Sequence, residues 1–173
     1  MDDTRGSAAA EMAIWATVLI VPVLSVVDLG VYAFQKMQVE SAAQGAVAAV
    51  WRFCDTAGEL PAVQNCTSLL TNMNAGAQNT SLGATVTVTG VTEGYYCRNG
   101  AGDLQLVGTT AAIGGTPTKP SPFNCSAAGS ATTVPGDYIQ ATASYTYSPV
   151  FTGISITTLL PTAVTRTAWM RLG

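Results

Sequence analysis

The chain has 173 residues, of which 48% are hydrophobic and only 10% charged, with a formal net charge of −3. Ordinary soluble domains carry about 25% charged residues, so this surface is unusually neutral. The basic residues beyond Cys54 are scattered (Arg98, Lys119, Arg166 and Arg171), which argues against a nucleic-acid partner, since phosphate neutralisation needs Lys/Arg clusters. Histidine is absent, and with it His-based triads, His general bases and His metal ligands.

In chain order, Gly6 is followed by Ser7-Ala8-Ala9-Ala10-Glu11-Met12-Ala13 and then by an apolar run. Residues 8–34 contain only two charges, Glu11 and Asp28. About 20 apolar residues cross a hydrocarbon core of roughly 30 Å, so residues 7–34 are expected to span a membrane. Pro22 removes a helix hydrogen bond in mid-run, and a kink is expected there. Asp28, near the outer end, needs either the headgroups or a protein partner. Val39, Ala42, Ala43, Ala46, Val47 and Val50 then recur at helical period. One helix over residues 7–53 follows, its first half in lipid and its second half packed under a head. Conventional secretory signals put a basic segment before the run and small residues after it. Here the small residues come first, so that kind of cleavage is not expected. An uncleaved single-pass anchor is the stronger alternative.

Residues 60–73 have apolar spacing close to a helical period. Thr85-Val86-Thr87-Val88-Thr89 alternates as a strand does. Tyr95-Tyr96-Cys97 and Leu104-Gln105-Leu106-Val107 suggest further strands. Residues 114–136, rich in Gly, Pro, Ser and Thr, read as a long loop. Strands are expected again over 137–147 and 162–172. The whole is an α+β arrangement: a long N-terminal helix and a small antiparallel sheet.

The cysteines are Cys54, Cys66, Cys97 and Cys125, with no C-x-x-C pair, so neither zinc nor thioredoxin-like chemistry is indicated. An even count after a membrane segment favours two disulfides. Three pairings are open. Neighbours in sequence close the smallest loops, which favours Cys54–Cys66 and Cys97–Cys125. Glu59, Glu93, Asp103 and Asp137 have no calcium-loop spacing and read as solvated loop charges. Tyr95, Tyr96, Tyr145 and Tyr147 read as strand packing rather than as a binding face. No metal, cofactor or catalytic residue is expected.

Gly6 to Ala13, the apolar run, Asp28-Leu29-Gly30 and the polar helix from Gln35 to Val50 together resemble the start of TadE-like proteins. These are pseudopilins of the tight-adherence (Flp-type) branch of the type IV pilus superfamily. The far end is similar as well: a Tyr-rich strand to Tyr147, Ser148-Pro149-Val150-Phe151, Leu159-Leu160-Pro161, and a strand ending at Arg171. Met12 stands where the family usually has an aromatic, and Asp2-Asp3 where basic residues are usual. The resemblance implies a pilin-like fold with a leader of residues 1–6, a helix of residues 7–53 and a disulfide-containing head of residues 54–173. It implies cleavage between Gly6 and Ser7 by a prepilin peptidase. It gives assembly roles to Glu11, which would meet the new α-amine of a neighbouring subunit, and to Asp28. The implied partners are other pilin or pseudopilin subunits, the inner-membrane assembly platform, and the membrane before assembly. The protein would begin as a single-pass membrane protein and end in an extracellular or envelope-spanning filament. The alternative from a different class is a monomeric, membrane-anchored extracytoplasmic binding module; a secreted enzyme ranks third.

Overall fold

A computed structural model describes residues 4–54 and 56–172, with side chains from residue 8 onward except that of residue 158. Residues 1–3 of the expected leader lie outside the described residues, as does the side chain of Ser7.

Helix α1 runs over Thr4–Phe53, unbroken through Pro22. It is followed by α2 (Ala62–Asn65), α3 (Leu69–Ala77) and the strands β1 (Thr87–Arg98), β2 (Leu104–Leu106), β3 (Ala111–Ala112), β4 (Gly136–Thr146) and β5 (Ala163–Arg171). The sheet order is β2-β1-β4-β5, with β3 on β1. β2, β3 and β4 each pair antiparallel with β1. Leu172 N–H donates to the Asp137 carbonyl and the Thr142 and Thr167 hydroxyls lie 2.9 Å apart, so β5 runs antiparallel to β4. This is the expected α+β layout of a long N-terminal helix followed by an antiparallel sheet. The chain divides into two compact units, residues 1–37 with 146–164, and residues 38–145 with 165–173.

In the second unit the stripe read from the sequence is buried: Val39, Ala42, Ala43, Ala46, Val47 and Val50 are all at most 2% exposed. Alanines keep the helix surface thin, and the approach of α3 is closer still. A Cβ on Gly45 would stand 2.6 Å from the Gly76 carbonyl oxygen. The single helix expected over 60–73 is instead two, α2 and α3. They are parted at Ser68, which takes a left-handed conformation (φ 61°), two residues after the Cys54–Cys66 disulfide. The second disulfide joins Cys97 to Cys125 and pins the long loop before β4.

Sequence alternation expected two strands where β1 is one. Between Thr89 and Thr92 the pairing with β4 skips, leaving Gly90 and Val91 opposite one residue. Gly90 has φ 60°, which suits glycine, and the extra residue is a β-bulge. Ahead of it the buried positions are even (Val86, Val88); beyond it Val91, Glu93, Tyr95 and Cys97 are buried. The face of Val86 and Val88 continues at odd positions, and Gly94 and Tyr96 are buried as well, so a continuous strand loses its continuous alternation.

Gly45 supplies a test of the helix contact. In an open helix Gly→Ala gains about 1 kcal/mol. Here the new methyl meets backbone that cannot rotate away. Gly45→Ala is therefore expected to destabilise by about 1–3 kcal/mol, measured by urea denaturation; a gain in stability would show that the contact is loose.

Candidate membrane-anchoring and assembly site

The first unit is built around the outer end of the apolar run. From Ala8 to Val23 every residue of α1 is exposed, including Met12, Trp15, Val18, Leu19 and Ile20. The helix is long and apolar enough to cross a membrane. Glu11 is exposed near its start. The pattern changes at Ser25. Ser25 and Asp28 are buried, and Leu24, Val31, Tyr32 and Gln35 are partly covered, one helical stripe whose core is polar.

The cover is the connection between β4 and β5. Tyr147 N–H donates to the Thr162 carbonyl at 2.7 Å and closes the base of this loop. Within it, the Asp28 carboxylate accepts from Val150 N–H at 2.9 Å, Phe151 N–H at 3.3 Å and the Thr157 hydroxyl at 3.2 Å. The Tyr147 hydroxyl donates to the Asp28 carbonyl at 3.3 Å, and Ile156 N–H to the Ser25 hydroxyl at 3.4 Å. Tyr32 and Tyr147 meet edge to face at 4.9 Å, and Lys36 lies over the Tyr32 ring at 5.6 Å. Asp28 is fully buried, and its partners belong to its own chain. The sequence singled out Asp28 as needing a partner. It missed Ser25 and Thr157 and read Tyr147 only as strand packing.

A second carboxylate cluster lies in the sheet. Glu93 and Asp137, expected to be solvated, are 0% and 7% exposed; that expectation is corrected. Asp103 is exposed and Glu59 is half-covered. The β1 bulge turns Glu93 inward, where it accepts from Ala62 N–H at 2.9 Å and Val63 N–H at 2.7 Å. It thereby serves the free amides that begin α2. Asp137 sits opposite Tyr95 in the register, diagonal to Glu93. Burial foremost, then the charge of Glu93 and a hydrogen bond to it, push Asp137 up to about 7, with Lys119 partly offsetting this. Burial and the same two carboxylates push Tyr95 up to about 12. Tyr95 and Tyr96 pack as expected of strand residues, Tyr96 edge-on to Trp169 and Tyr138 and Tyr95 to Phe123; Tyr147, just beyond β4, packs on Tyr32 of α1 instead. No group of three or more metal-ligating side chains occurs among the described residues.

A long apolar helix leading into an antiparallel sheet, with disulfides in the sheet-bearing part, is a pilin-like layout. Residues 6–48 match the model of the TadE-like protein family, 43 of the chain's 173 residues. The match takes in Gly6, Glu11, the apolar run, Asp28-Leu29-Gly30 and most of the buried alanine stripe. This segment is TadE-like, and its helix is long and apolar enough to serve as a single-pass anchor. No curated protein and no solved structure matches the chain.

Two measurements check this geometry. Asp28→Ala leaves the Val150 and Phe151 amides without their acceptor, so their hydrogen exchange is expected to accelerate roughly tenfold or more. Exchange in α3 should be unchanged; unaltered exchange at 150 and 151 would contradict the contact. Asp137 gives a pH dependence. An unfolded aspartate loses its proton near about 3.9, whereas the folded one keeps it to about 7. Between these values the folded state binds more protons, so stability falls as pH rises from about 4 to 7. The melting temperature is expected to be lower at pH 8 than at pH 5, and Asp137→Asn to remove most of that difference.

Proposed function

We propose that this chain is a structural, non-enzymatic pilin-like subunit, a pseudopilin or minor pilin. It is trimmed after Gly6 and joins a pilus or envelope-spanning filament through its N-terminal helix. The observation that carries this reading is the TadE-like match over residues 6–48, because it embraces the cut motif, both carboxylates and the helix at once. The pilin class distinguishes this from a plain anchor, which needs no glycine before its run and no carboxylate inside it.

Cleavage would leave a protonated α-amine on Ser7, with a reference pKa of about 7.7–8.0. Ser7 and Glu11 are four positions apart on one helix, so the two charges could pair within a chain. Pairing between chains sets the axial register of a neighbour. An unpaired charge among packed apolar helices is unfavourable, and this makes the pairing selective. Asp28 contributes to assembly by holding the loop that covers it. A prepilin peptidase, an assembly platform and sister subunits are the partners this reading requires.

Glu11→Ala is expected to insert in the membrane and be trimmed, yet to co-purify with filaments or sister subunits about tenfold less or worse. Gly6→Leu separates the steps: it should retain the leader, seen as a heavier mass. Normal assembly of Glu11→Ala would remove Glu11 from the assembly mechanism. An untrimmed native N-terminus would favour the monomeric anchored module.

A further inference from the structure

The loop over Asp28 has its polarity reversed. Among the described residues six polar or charged side chains are buried, and four of them (Ser25, Asp28, Ser155 and Thr157) belong to this one small region. Four of its five large aliphatic side chains point the other way: Val150, Ile154, Ile156 and Leu159 are more than half exposed, while Leu160 is half-buried. The reversal is sharpest in the 3₁₀ helix Ile156–Leu159. In such a helix positions i and i+3 eclipse, so Ile156 and Leu159 share one face. Leu159 is 86% exposed, while Thr157 is 1% exposed and bonds Asp28. An apolar face outward and a polar face inward is the opposite of what water selects. In hydrocarbon it is the favourable arrangement.

We propose that this loop is a lipid-contacting collar, which dips its Ile156–Leu159 face into the outer boundary of the bilayer while the helix is a membrane anchor. Three observations select lipid. The run from Ala8 to Val27, charged only at Glu11 and exposed except at Leu24 and Ser25, is 20 residues, about 30 Å at 1.5 Å per residue, the thickness of the hydrocarbon core. It ends at Asp28, beside the collar, so the loop lies at the depth of the boundary. The Ile156 amide bonds Ser25, one turn nearer the run than Asp28, so the exposed 3₁₀ face is on the membrane side of the loop. No charged residue occurs between Asp137 and Arg166, so nothing in the loop resists entry. A side chain as exposed as Leu159 stands out from the surface rather than lining a cleft. Fluid acyl chains accept such a shape without a complementary partner. The loop also hides Asp28, so a carboxylate at the edge of the hydrocarbon never faces lipid.

The proposal rests on the anchor part of the functional reading, and the test keeps the two apart. The full chain is reconstituted in phosphatidylcholine–phosphatidylglycerol vesicles as two single-tryptophan forms. One keeps Trp15 and carries Trp51→Phe and Trp169→Phe. The other carries Trp15→Phe as well, with Leu159→Trp. Bromines near the acyl-chain ends should quench Trp15, near mid-span. Bromines near the carbonyl end should quench the Leu159→Trp indole at least as strongly, with a blue-shifted emission. A Leu104→Trp form on the same background, an exposed site on β2, should be unaffected. If Trp15 is quenched and the indole at 159 is not, the collar is overturned and the anchor stands. If neither is quenched, both fall. A blue shift at 159 that grows with protein density but never responds to brominated lipid assigns the face to a second copy of the chain and also overturns the collar.

Discussion

A buried carboxylate on a membrane-length helix constrains everything near it. Asp28 stands where the apolar run ends, and a charge left unmet there costs several kcal/mol. Water could meet it only by leaving the side chain open, and the structure closes it instead, with two amides and a hydroxyl from more than 120 residues away. That choice dictates the β4–β5 connection. It must be long enough to reach Asp28, it must be closed at its base by the Tyr147–Thr162 bond, and it must turn Thr157 inward. With Thr157 inside, Ile156 and Leu159 have nowhere to go but out.

The same constraint explains the two characters of α1. Ser25, Asp28, Tyr32, Gln35, Val39, Ala42, Ala46 and Val50 follow each other at three and four residues, so they lie on one continuous helical stripe. Its first part is polar and hydrogen-bonded; its second part is aliphatic and buried as a core. A helix that must anchor in lipid cannot mark its protein-facing side by hydrophobicity, because every side is hydrophobic. It marks that side by polarity. Once the surroundings become aqueous, the signal inverts and the protein-facing side is the apolar one.

That inversion also set what could be read from the chain. The alanine stripe was legible because its period stands out against Gln, Glu and Ser. Its polar continuation was not, since a stripe search follows apolar residues and Ser25, Tyr32 and Gln35 look like interruptions. The disulfide partners were legible because short loops narrow the choices. β1 was legible only in pieces: the bulge at Gly90 breaks the alternation of its first part, and beyond it residues 93–97 are buried on both faces, so no alternation marks the second part. The same bulge hid Glu93, which looks like a loop charge until the strand is seen to run through it with its parity changed. Its partners, the amides opening α2, lie about 30 residues back, and no local pattern announces so distant a cap.

The two buried carboxylate sites use different chemistry for the same problem. Asp28 keeps a full set of donors around its carboxylate and stays isolated from other charges within the loop that covers it. Asp137 has Glu93 for a neighbour and an Oδ1 with no hydrogen-bond partner, so it is met by a proton rather than by donors. On the assembly reading, the difference matters for a subunit that exchanges lipid for protein contacts. Sealed by its own chain, Asp28 carries its hydrogen bonds from one environment to the other and presents no charge in either. Of the two carboxylates in residues 8–34, that leaves Glu11 as the one exposed to whatever surrounds the helix. On the assembly reading, the demand for a partner that changes when the helix leaves the bilayer therefore falls on Glu11, and the more completely Asp28 is satisfied within the subunit, the more register selection must rest there.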